Sequence, residues 1–201
     1  MGLQHQNHYR QLSLVFHAAN GQELLLQELK AADALSLFLF FRGLSPLSRS
    51  RFAPHAADYK SIRQLTAATT PATLRFIVRA KGADPILAYF LIQRELFPWE
   101  LHRFREAGID ADPTASALLA PAVTDRWQGG GLGTLVYQQL EPVLIEQGIR
   151  QLFLWGGVQA ANERACRWYR KLGFTDFNRF WHDGQENLDM MKRIHPELPQ
   201  L

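Results

Sequence analysis

A glycine-rich turn is the part of this sequence whose residue types and spacing point most directly to a chemical role. Residues 128–133 read QGGGLG; they follow a strand-like segment, 116–123, and open a helical segment, 134–147. Glycines allow positive φ angles and close approach of the backbone, and the first amides of a helix have no intrahelical partner. A strand, a glycine turn and a helix N-terminus in this order therefore predict a binding site for a phosphate group.

Two well-known phosphate-binding patterns do not fit this turn. The dinucleotide pattern G-x-G-x-x-G, started at Gly131, fails because Val136 occupies the third glycine position. The P-loop pattern fails because no Gly-Lys-Ser/Thr follows the turn. The pattern that fits is Gln/Arg-x-x-Gly-x-Gly/Ala, with Gln128, Gly131 and Gly133 in the fixed positions. It resembles the pyrophosphate-binding motif of the GNAT superfamily of acyl-CoA-dependent N-acyltransferases.

A second motif carries the same resemblance. Residues 162–174 read NERACRWYRKLGF and are similar to the second GNAT signature, N-x-x-A-x-x-x-Y-x-x-x-G-F. The fixed positions are occupied by Asn162, Ala165, Tyr169, Gly173 and Phe174. One predicted helix and one predicted strand separate the two motifs, as they do in the family. On both motifs together the chain is identified as a member of the GNAT superfamily.

The resemblance implies that acetyl-CoA, or a closely related acyl-CoA, is the co-substrate and that no metal ion is needed. In the family, the pantetheine arm lies between the fourth and fifth core strands, which splay apart. The implied contacts are Ala122 and Val123 for the pantetheine arm, Gln128, Gly129, Gly130, Gly131, Leu132, Gly133 and Thr134 for the pyrophosphate, and Asn162 for the facing side of the arm. Backbone amides and a helix N-terminus would neutralise the phosphates.

Tyr169 is implied to be the general acid that protonates the departing CoA thiolate. A phenol, with a pKa of about 10, is a suitable donor to a thiolate of similar basicity. Asn162 and Tyr169 are separated by about two helical turns, so both side chains lie on one helix face. Two simpler interpretations stay open, namely that Asn162 caps the helix and that Tyr169 is a core aromatic.

The resemblance does not identify the general base. Histone-type members carry a glutamate on the fourth core strand, but that position falls near Ala117, where the sequence has no carboxylate. Glu95, His102 and Asp112 lie around the connection between the third and fourth core strands, and Glu95 is the catalytic base that we carry forward. A chain of water molecules is the alternative.

Pro121 is a second departure from the family pattern. It falls at or near the strand position whose N–H often polarises the thioester carbonyl, and proline has no N–H. If the position is equivalent, we expect another amide, such as that of Val123, to take its place. Pro121 could instead set the splay between the strands.

The resemblance implies that the acceptor is an amine, but it does not identify which amine. Residues 44–52 and 123–133 are similar to the acetyltransferase domain of bacterial protein-lysine acetyltransferases, and small-molecule acetyltransferases carry such patterns as well. The expected function is therefore direct acetyl transfer to a primary amine of a small molecule or of a protein, as lysine or N-terminus. The alternative is a catalytically weak member that acts as an acyl-CoA sensor or a partner-binding module. A homodimer is compatible with either.

Composition agrees with an enzyme of this kind. The chain has 201 residues, 47% hydrophobic and 20% charged, with a net charge of +3, which is too small an excess to predict nucleic-acid binding. Its one cysteine, Cys166, cannot form an internal disulfide and fits a buried small residue in a reducing compartment. Residues 1–10 are polar, so we expect no signal peptide, no membrane attachment and a cytoplasmic location.

The elements that must position these residues follow from hydrophobic periodicity. The predicted order is β-β-α-α-β-β-β-α-β-α-β-β, which is a mixed α/β (α+β) fold in a single N-acetyltransferase domain, 1–201, whose N-terminal extension, 1–22, adds one strand. About four helices flank a sheet splayed between the fourth and fifth core strands. Pro142 predicts a kink or an early helix end. Residues 44–52 and 97–113 have no clear periodicity, and we expect these loops to form the acceptor entrance.

Overall fold

A nine-stranded sheet and six α-helices make up the computed structural model, which describes residues 12–52, 54–68 and 70–194. The strands are β1 (Ser13–His17), β2 (Glu23–Glu28), β3 (Thr73–Ala80), β4 (Ile86–Gln93), β5 (Ser116–Val123), β6 (Gln151–Leu154), β7 (Val158–Gln159), β8 (Thr175–His182) and β9 (Gln185–Arg193). The helices are α1 (Ala34–Gly43), α2 (Pro46–Ser50), α3 (Tyr59–Ala67), α4 (Pro98–Glu106), α5 (Leu132–Glu146) and α6 (Glu163–Lys171). Strands follow the order β1-β2-β3-β4-β5-β6-β9-β7, and β8 pairs with β9.

The parallel pair β5–β6 lies at the centre of an otherwise antiparallel sheet. Its pairing runs from Ser116↔Gln151 to Leu119↔Leu154 and then stops, while β5 continues to Val123. The two strands therefore separate at their carboxyl ends, as the resemblance predicted. The structure confirms the mixed fold, the added N-terminal strand and the central parallel position of residues 150–155. Residues 1–11 of the predicted extension, 1–22, lie outside the described part.

Hydrophobic side chains fill both faces of the sheet. All eight residues of β4 are buried, and from Ala88 to Ile92 their side chains alternate between two clusters. Phe90 packs with Val136 of α5 and Tyr169 of α6 on one face, whereas Tyr89 packs with Phe41 of α1 on the other. Helix α4 covers a third cluster, in which the Phe104 ring stacks on Phe153 at 4.6 Å. The diverging ends of β5 and β6 are thus held between two packed layers.

Two segments that were expected to be loops contain helices. Residues 44–52 include α2, which begins at Pro46 and is capped where Ser45 Oγ accepts from the Ser48 N–H at 3.2 Å. Residues 97–113 include α4, which begins at Pro98. Proline is well suited to the first helical turn because its fixed φ is helical and the N–H it lacks would have had no partner. The described residues therefore contain six helices rather than about four.

Helix α5 does not end early at its proline. It continues through Pro142 to Glu146, with Leu140 and Leu144 buried on either side of the proline. Packing of this face against the sheet compensates for the backbone hydrogen bond that Pro142 cannot make. In the ranges that the structure describes, no helix combines the length and apolar character required to cross a membrane.

Candidate functional site: a groove between diverging strands

A cavity of about 1250 Å³ opens where β5 and β6 separate. We call its two ends the glycine side and the aromatic side. The glycine side is lined by Val123, Gln128, Gly129, Gly131, Gly133, Thr134, Asn162 and Tyr169. The aromatic side is lined by Arg51, Phe52, Trp99, Arg103, Trp155, Gly156, Phe180 and Trp181. The cavity therefore contains residues of both sequence motifs together with residues of both segments that were expected to form an entrance.

The glycine turn has the backbone geometry that its sequence predicts. Gly129 and Gly131 have φ angles of +79° and +85°, and Gly131 is the N-cap residue of α5. At Gly133 space rather than φ favours glycine, because a Cβ there would lie 3.2 Å from the Trp168 ring. Trp168 also donates its indole N–H to Thr134 Oγ1 at 3.0 Å, which joins the start of α5 to α6. The turn thus presents the first amides of α5 to the groove.

Not every residue of this turn reaches the groove. Gly130 and Leu132 are not among the cavity-lining residues, and the Leu132 side chain is buried in the core. Any contact of these two residues with a phosphate would therefore have to come from their backbone N–H groups.

Gln128 holds the turn in place with its side chain. Its amide donates to the Val123 carbonyl at 2.8 Å and to Ser48 Oγ at 3.2 Å, and its Oε1 accepts from Arg164. The side chain is therefore engaged with protein groups and fixes the backbone of the turn. Sequence reasoning assigned Gln128 to the phosphate contact itself.

Helix α2 is tied to the same turn through Asp125. The Asp125 carboxylate accepts from the Ser45 N–H at 2.8 Å, from Ser45 Oγ at 2.9 Å and from Ser48 Oγ at 2.5 Å. These hydrogen bonds, from Ser48 first, lower the pKa of Asp125. The carboxylate is therefore charged at neutral pH, and the link between the two segments is charge-assisted.

Strand β5 exposes a free edge to the groove beyond Leu119. The Trp155 N–H donates to the Leu119 carbonyl at 3.0 Å. Backbone groups of alternate residues in a strand face the same neighbour, so those of Pro121 and Val123 face the groove. Pro121 has no N–H, so Val123 provides the next groove-facing amide, as the sequence led us to expect.

Ala122 does not have its expected role. The Thr124 N–H donates to the Leu87 carbonyl across the β4 side at 2.9 Å, and Ala122 pairs in register with Tyr89 of β4. By the same alternation, the Ala122 N–H and C=O face β4. Ala122 lines the cavity but does not offer it backbone hydrogen bonds, which corrects the prediction that it pairs with the pantetheine arm.

Asn162 and Tyr169 reach the groove from α6. Asn162 is the N-cap of the helix, with Oδ1 accepting from the Ala165 N–H at 3.4 Å, and it also lines the cavity. Tyr169 is 7% exposed and its ring contacts Phe174 at 5.5 Å, so it is a core residue that also borders the cavity. Burial raises the pKa of the Tyr169 phenol above its usual value, so the hydroxyl keeps its proton at neutral pH.

Positive charge lines the α6 edge of the cavity. Arg164, Arg167 and Lys171 share one face of the helix at a spacing of three and four residues, and all three border the cavity. Asp183 is the one carboxylate among the described lining residues. Charged residues on a helix face are usually solvated, so nothing in the sequence alone singles out these three cations.

The base candidates chosen from the sequence lie away from the groove. Glu95, His102 and Asp112 are exposed and are not among the lining residues. His102 lies 3.4 Å from Glu106, and Asp112 accepts from Thr114. The structure therefore does not bring Glu95 to the position of a general base.

Glu100 is the acidic residue that sequence reasoning missed. It lies in the first turn of α4 with 0% exposure. Its Oε1 accepts from the Gly156 N–H at 3.2 Å, while Oε2 has no hydrogen-bond partner among the described residues. Burial raises the pKa of Glu100 to about 7, although the Gly156 N–H and the Arg103 charge oppose the shift. Its position between Trp99 and Leu101, three residues into a helix begun by Pro98, is the sequence signal that could have revealed it.

Arg103 fixes α4 against the last two strands. It donates from Nε and Nη2 to the buried Asp189 carboxylate at 2.8 and 2.9 Å, and Asn178 donates to the same carboxylate at 3.0 Å. The guanidinium lies 4.1 Å from the centre of the Phe180 ring and 5.1 Å from that of Trp99. A bidentate, stacked arginine of this kind defines the wall of the aromatic side.

Comparisons with known proteins agree with the geometry of this groove. Residues 51–174 match the family model described as Acetyltransferase (GNAT) family. The chain is similar to the GNAT domain of S. lividans PAT, with a TM-score of 0.70 at 20% identity over 90% of this chain and 96% of that one. It is similar to a ribosomal-protein-S5-alanine acetyltransferase from Vibrio fischeri, with a TM-score of 0.69 at 13% identity over 94% and 100% of the two chains.

A third similar structure contains a ligand. This is the aminoglycoside acetyltransferase AAC(6')-Ib in complex with coenzyme A, with a TM-score of 0.64 at 16% identity over 85% of this chain and 94% of that one. No curated protein sequence matches the chain. Within the described ranges, no group of three or more His, Cys, Asp or Glu side chains is arranged to hold a metal ion.

Proposed function

The chain belongs to the GNAT acetyltransferase family, and from this premise we propose that it transfers the acetyl group of acetyl-CoA directly to a primary amine. One observation carries the proposal: a glycine turn at the N-terminus of α5 opens into the same groove as the free edge of β5 and Tyr169. A phosphate-binding turn, an unpaired strand edge and a proton donor are what transfer from an acyl-CoA requires.

The glycine side has groups suited to the CoA portion. Gly129 and Gly131 have positive φ angles, and a Cβ at either glycine would extend into open space. Because neither residue has a side chain, the first amides of α5 are left uncovered at these positions. Arg164, Arg167 and Lys171 add positive charge beside the turn. Phosphate groups are bound best where helix amides and cations converge. No metal ion is part of the proposal.

Two groups of the chain would then act near the thioester that acetyl-CoA supplies. The Val123 N–H faces the groove on the free edge of β5 and can hydrogen-bond the pantetheine arm. Tyr169 is protonated at neutral pH and borders the groove, so it can give its hydroxyl proton to the departing sulfur, although burial makes it a weaker acid than a free phenol. Asn162 borders the same space and can orient the arm.

The acceptor amine would enter from the aromatic side. The similar structures include enzymes for an aminoglycoside and for a ribosomal-protein alanine. Three of the five lysine or arginine residues in the cavity lining stand beside the glycine turn, and a fourth, Arg103, is paired with Asp189. Asp183 is the one carboxylate among the described lining residues, so a polycationic acceptor such as an aminoglycoside would find little negative charge to bind. We therefore favour an acceptor with a single amine on an aromatic or neutral scaffold, whether a small molecule or a protein segment.

A second candidate function is acyl-CoA sensing without efficient transfer. It is favoured by Pro121, which removes the groove-facing N–H of β5, and by Ala117 on the same strand, where histone-type members would carry a carboxylate. Both observations concern activation of the reactants and leave the proposed CoA contacts intact.

Incubation of the protein with acetyl-CoA and an amine panel distinguishes the two functions. The enzyme releases the CoA thiol and adds the mass of one acetyl group to an amine, detected by mass spectrometry. Tight acetyl-CoA binding with no thiol release from any amine would support the sensor instead. Thiol release without an acetylated amine would indicate hydrolysis and contradict the proposed transfer.

A further inference from the structure

The structure assigns a proton acceptor that lies outside the strand position used by histone-type relatives. We propose that Glu100, on helix α4, takes the proton from the acceptor ammonium before the amine attacks the thioester. The inference rests on the proposed transfer reaction and adds to it the residue that activates the nucleophile. It depends on where Glu100 lies, on what separates it from the groove, and on the state of its two carboxylate oxygens.

Glu100 is fixed at the point where the groove begins. Leu119 and Leu154 form the last residue pair between β5 and β6, and the Trp155 N–H still donates to the Leu119 carbonyl. The next amide along the chain, that of Gly156, donates to Glu100 Oε1. The carboxylate is thus hydrogen-bonded to the turn at which the two strands separate.

A thin wall separates this carboxylate from the groove. Gly156 lines the cavity, has no side chain, and would extend an added Cβ into open space with no atom within 4 Å. Trp99 and Arg103, one residue before Glu100 and three residues after it, also line the cavity. Glu100 itself is buried and is not among the lining residues, but it is hydrogen-bonded to one lining residue and lies on the same helix as two others. In the proposed step, a rotation of its side chain or a bridging water beside Gly156 connects its carboxylate with the aromatic side.

The two oxygens of Glu100 differ in a way that suits proton transfer. Oε1 is held by Gly156, whereas Oε2 is buried without a hydrogen-bond partner among the described residues. The charged groups that influence it are Arg103, which favours the carboxylate, and Asp189, which opposes it. Because Arg103 is bound to Asp189 on both donors, its charge is largely committed to that pair. No described group hydrogen-bonds Oε2, so Oε2 is the oxygen that can accept the proton.

The proposed step balances without a further reactant. One N–H bond of the ammonium breaks, and its electron pair stays on nitrogen as the lone pair that attacks the thioester carbon. The proton forms an O–H bond with Glu100 and passes to solvent after the acetylated product leaves. The proton that Tyr169 gives to the departing sulfur is a separate one. The attacking nitrogen loses a second proton as the intermediate collapses, and a proton returned through solvent restores the Tyr169 hydroxyl.

Glu100→Gln tests the proposal, with Glu106→Gln as the matched control on the exposed face of the same helix, outside the cavity lining. Glutamine at position 100 keeps an oxygen for the Gly156 N–H but cannot take a proton at neutral pH. We expect Glu100→Gln to lower kcat/KM for the amine by roughly 100-fold at pH 7 while acetyl-CoA affinity is unchanged. The deficit should shrink as the pH approaches the pKa of the acceptor amine, which then arrives already deprotonated. Glu106→Gln should behave as the wild type.

Several outcomes would overturn the inference. A Glu100→Gln enzyme with wild-type activity and an unchanged pH profile would leave Glu100 with a structural role only. A deficit that is equal at all pH values would have the same meaning. If the variant does not fold, the wild-type pH profile decides: the ionisation near pH 7 must show the small ionisation enthalpy of a carboxyl group, and a large one contradicts the proposal. Wild-type protein that acetylates no amine would overturn the proposed function itself, and this inference with it.

Discussion

The glycine turn and the aromatic side of the groove are built from residues at very different separations in the chain. The turn, the N-cap of α5 and the groove-facing Val123 all come from one continuous segment, which Asn162 and Tyr169 of α6 face from across the groove. On the aromatic side, Glu100 reaches Gly156 across 56 residues and Arg103 reaches Asp189 across 86. A site that depends on backbone geometry leaves a motif in the sequence. A site that depends on which buried side chains meet is visible only after folding.

The largest expected effect tests the glycine side by itself. Gly131→Asp adds a carboxylate where the phosphates are expected, so we expect acetyl-CoA affinity to fall by at least roughly 100-fold, measured by calorimetry. Gly148→Asp is the matched control, since Gly148 has a φ of +84° and open space around it but does not line the cavity. Equal loss of affinity in both variants would mean that backbone strain, not charge, is responsible.

The next prediction separates chemistry from binding on the same side. Tyr169→Phe removes the proton donor and should lower kcat by roughly tenfold to several hundredfold, with acetyl-CoA affinity nearly unchanged. Tyr137→Phe removes another buried hydroxyl, which donates to Glu141 and does not line the cavity, and should leave kcat unaltered. If kcat of the Tyr169 variant is unchanged while chemistry limits the rate, Tyr169 is a core aromatic only.

The free energy of unfolding tests the buried acid on the aromatic side. The pKa of Glu100 is raised from 4.5 to about 7, so folding favours its protonated form. Stability from this group is complete below pH 4.5 and is lost as the pH rises through 7, by up to roughly 3 kcal/mol. Glu100→Gln should therefore be more stable than the wild type at pH 8 and similar to it near pH 4.5, measured by urea unfolding. An equal difference at both pH values would contradict the shifted pKa.

The smallest expected effect concerns the charges beside the glycine turn. Arg164→Ala removes an exposed cation that also binds Gln128, so acetyl-CoA affinity should fall by roughly fivefold, equivalent to about 1 kcal/mol, and less at high salt. Arg179→Ala, which removes an arginine paired with Glu186 and outside the cavity lining, should have no effect. A loss that does not respond to salt would indicate that Arg164 acts by holding Gln128.

The difference between the two sides also explains what the sequence could reveal. Strand β5 was predicted with its observed bounds, and the turn at Gly131 and the cap at Asn162 were located correctly. These features depend on local backbone preferences. The missed helices α2 and α4 begin at Pro46 and Pro98, in segments where no clear periodicity was visible.

Because helix α4 was not predicted, Glu100 was not recognised as a buried acid. Once α4 begins at Pro98, the helical phase buries Glu100 and Phe104 and leaves Glu106 in solvent. Without that starting point, the sequence offered no reason to choose Glu100 over Glu95, five residues earlier. The inward direction of an acid on an amphipathic helix depends on tertiary packing, which a local pattern does not contain.

The bond between α2 and the glycine turn has a thermodynamic consequence. Asp125 and Gln128 belong to the turn that would meet the phosphates, while Ser45 and Ser48 belong to the segment that borders the aromatic side. Two ligands that bias one shared set of hydrogen bonds are coupled, and the coupling is reciprocal. If bound acetyl-CoA changes the affinity for the amine by some factor, the bound amine changes the affinity for acetyl-CoA by the same factor. In the proposed reaction, the three hydrogen bonds to Asp125 would carry this coupling between the CoA portion and the acceptor amine.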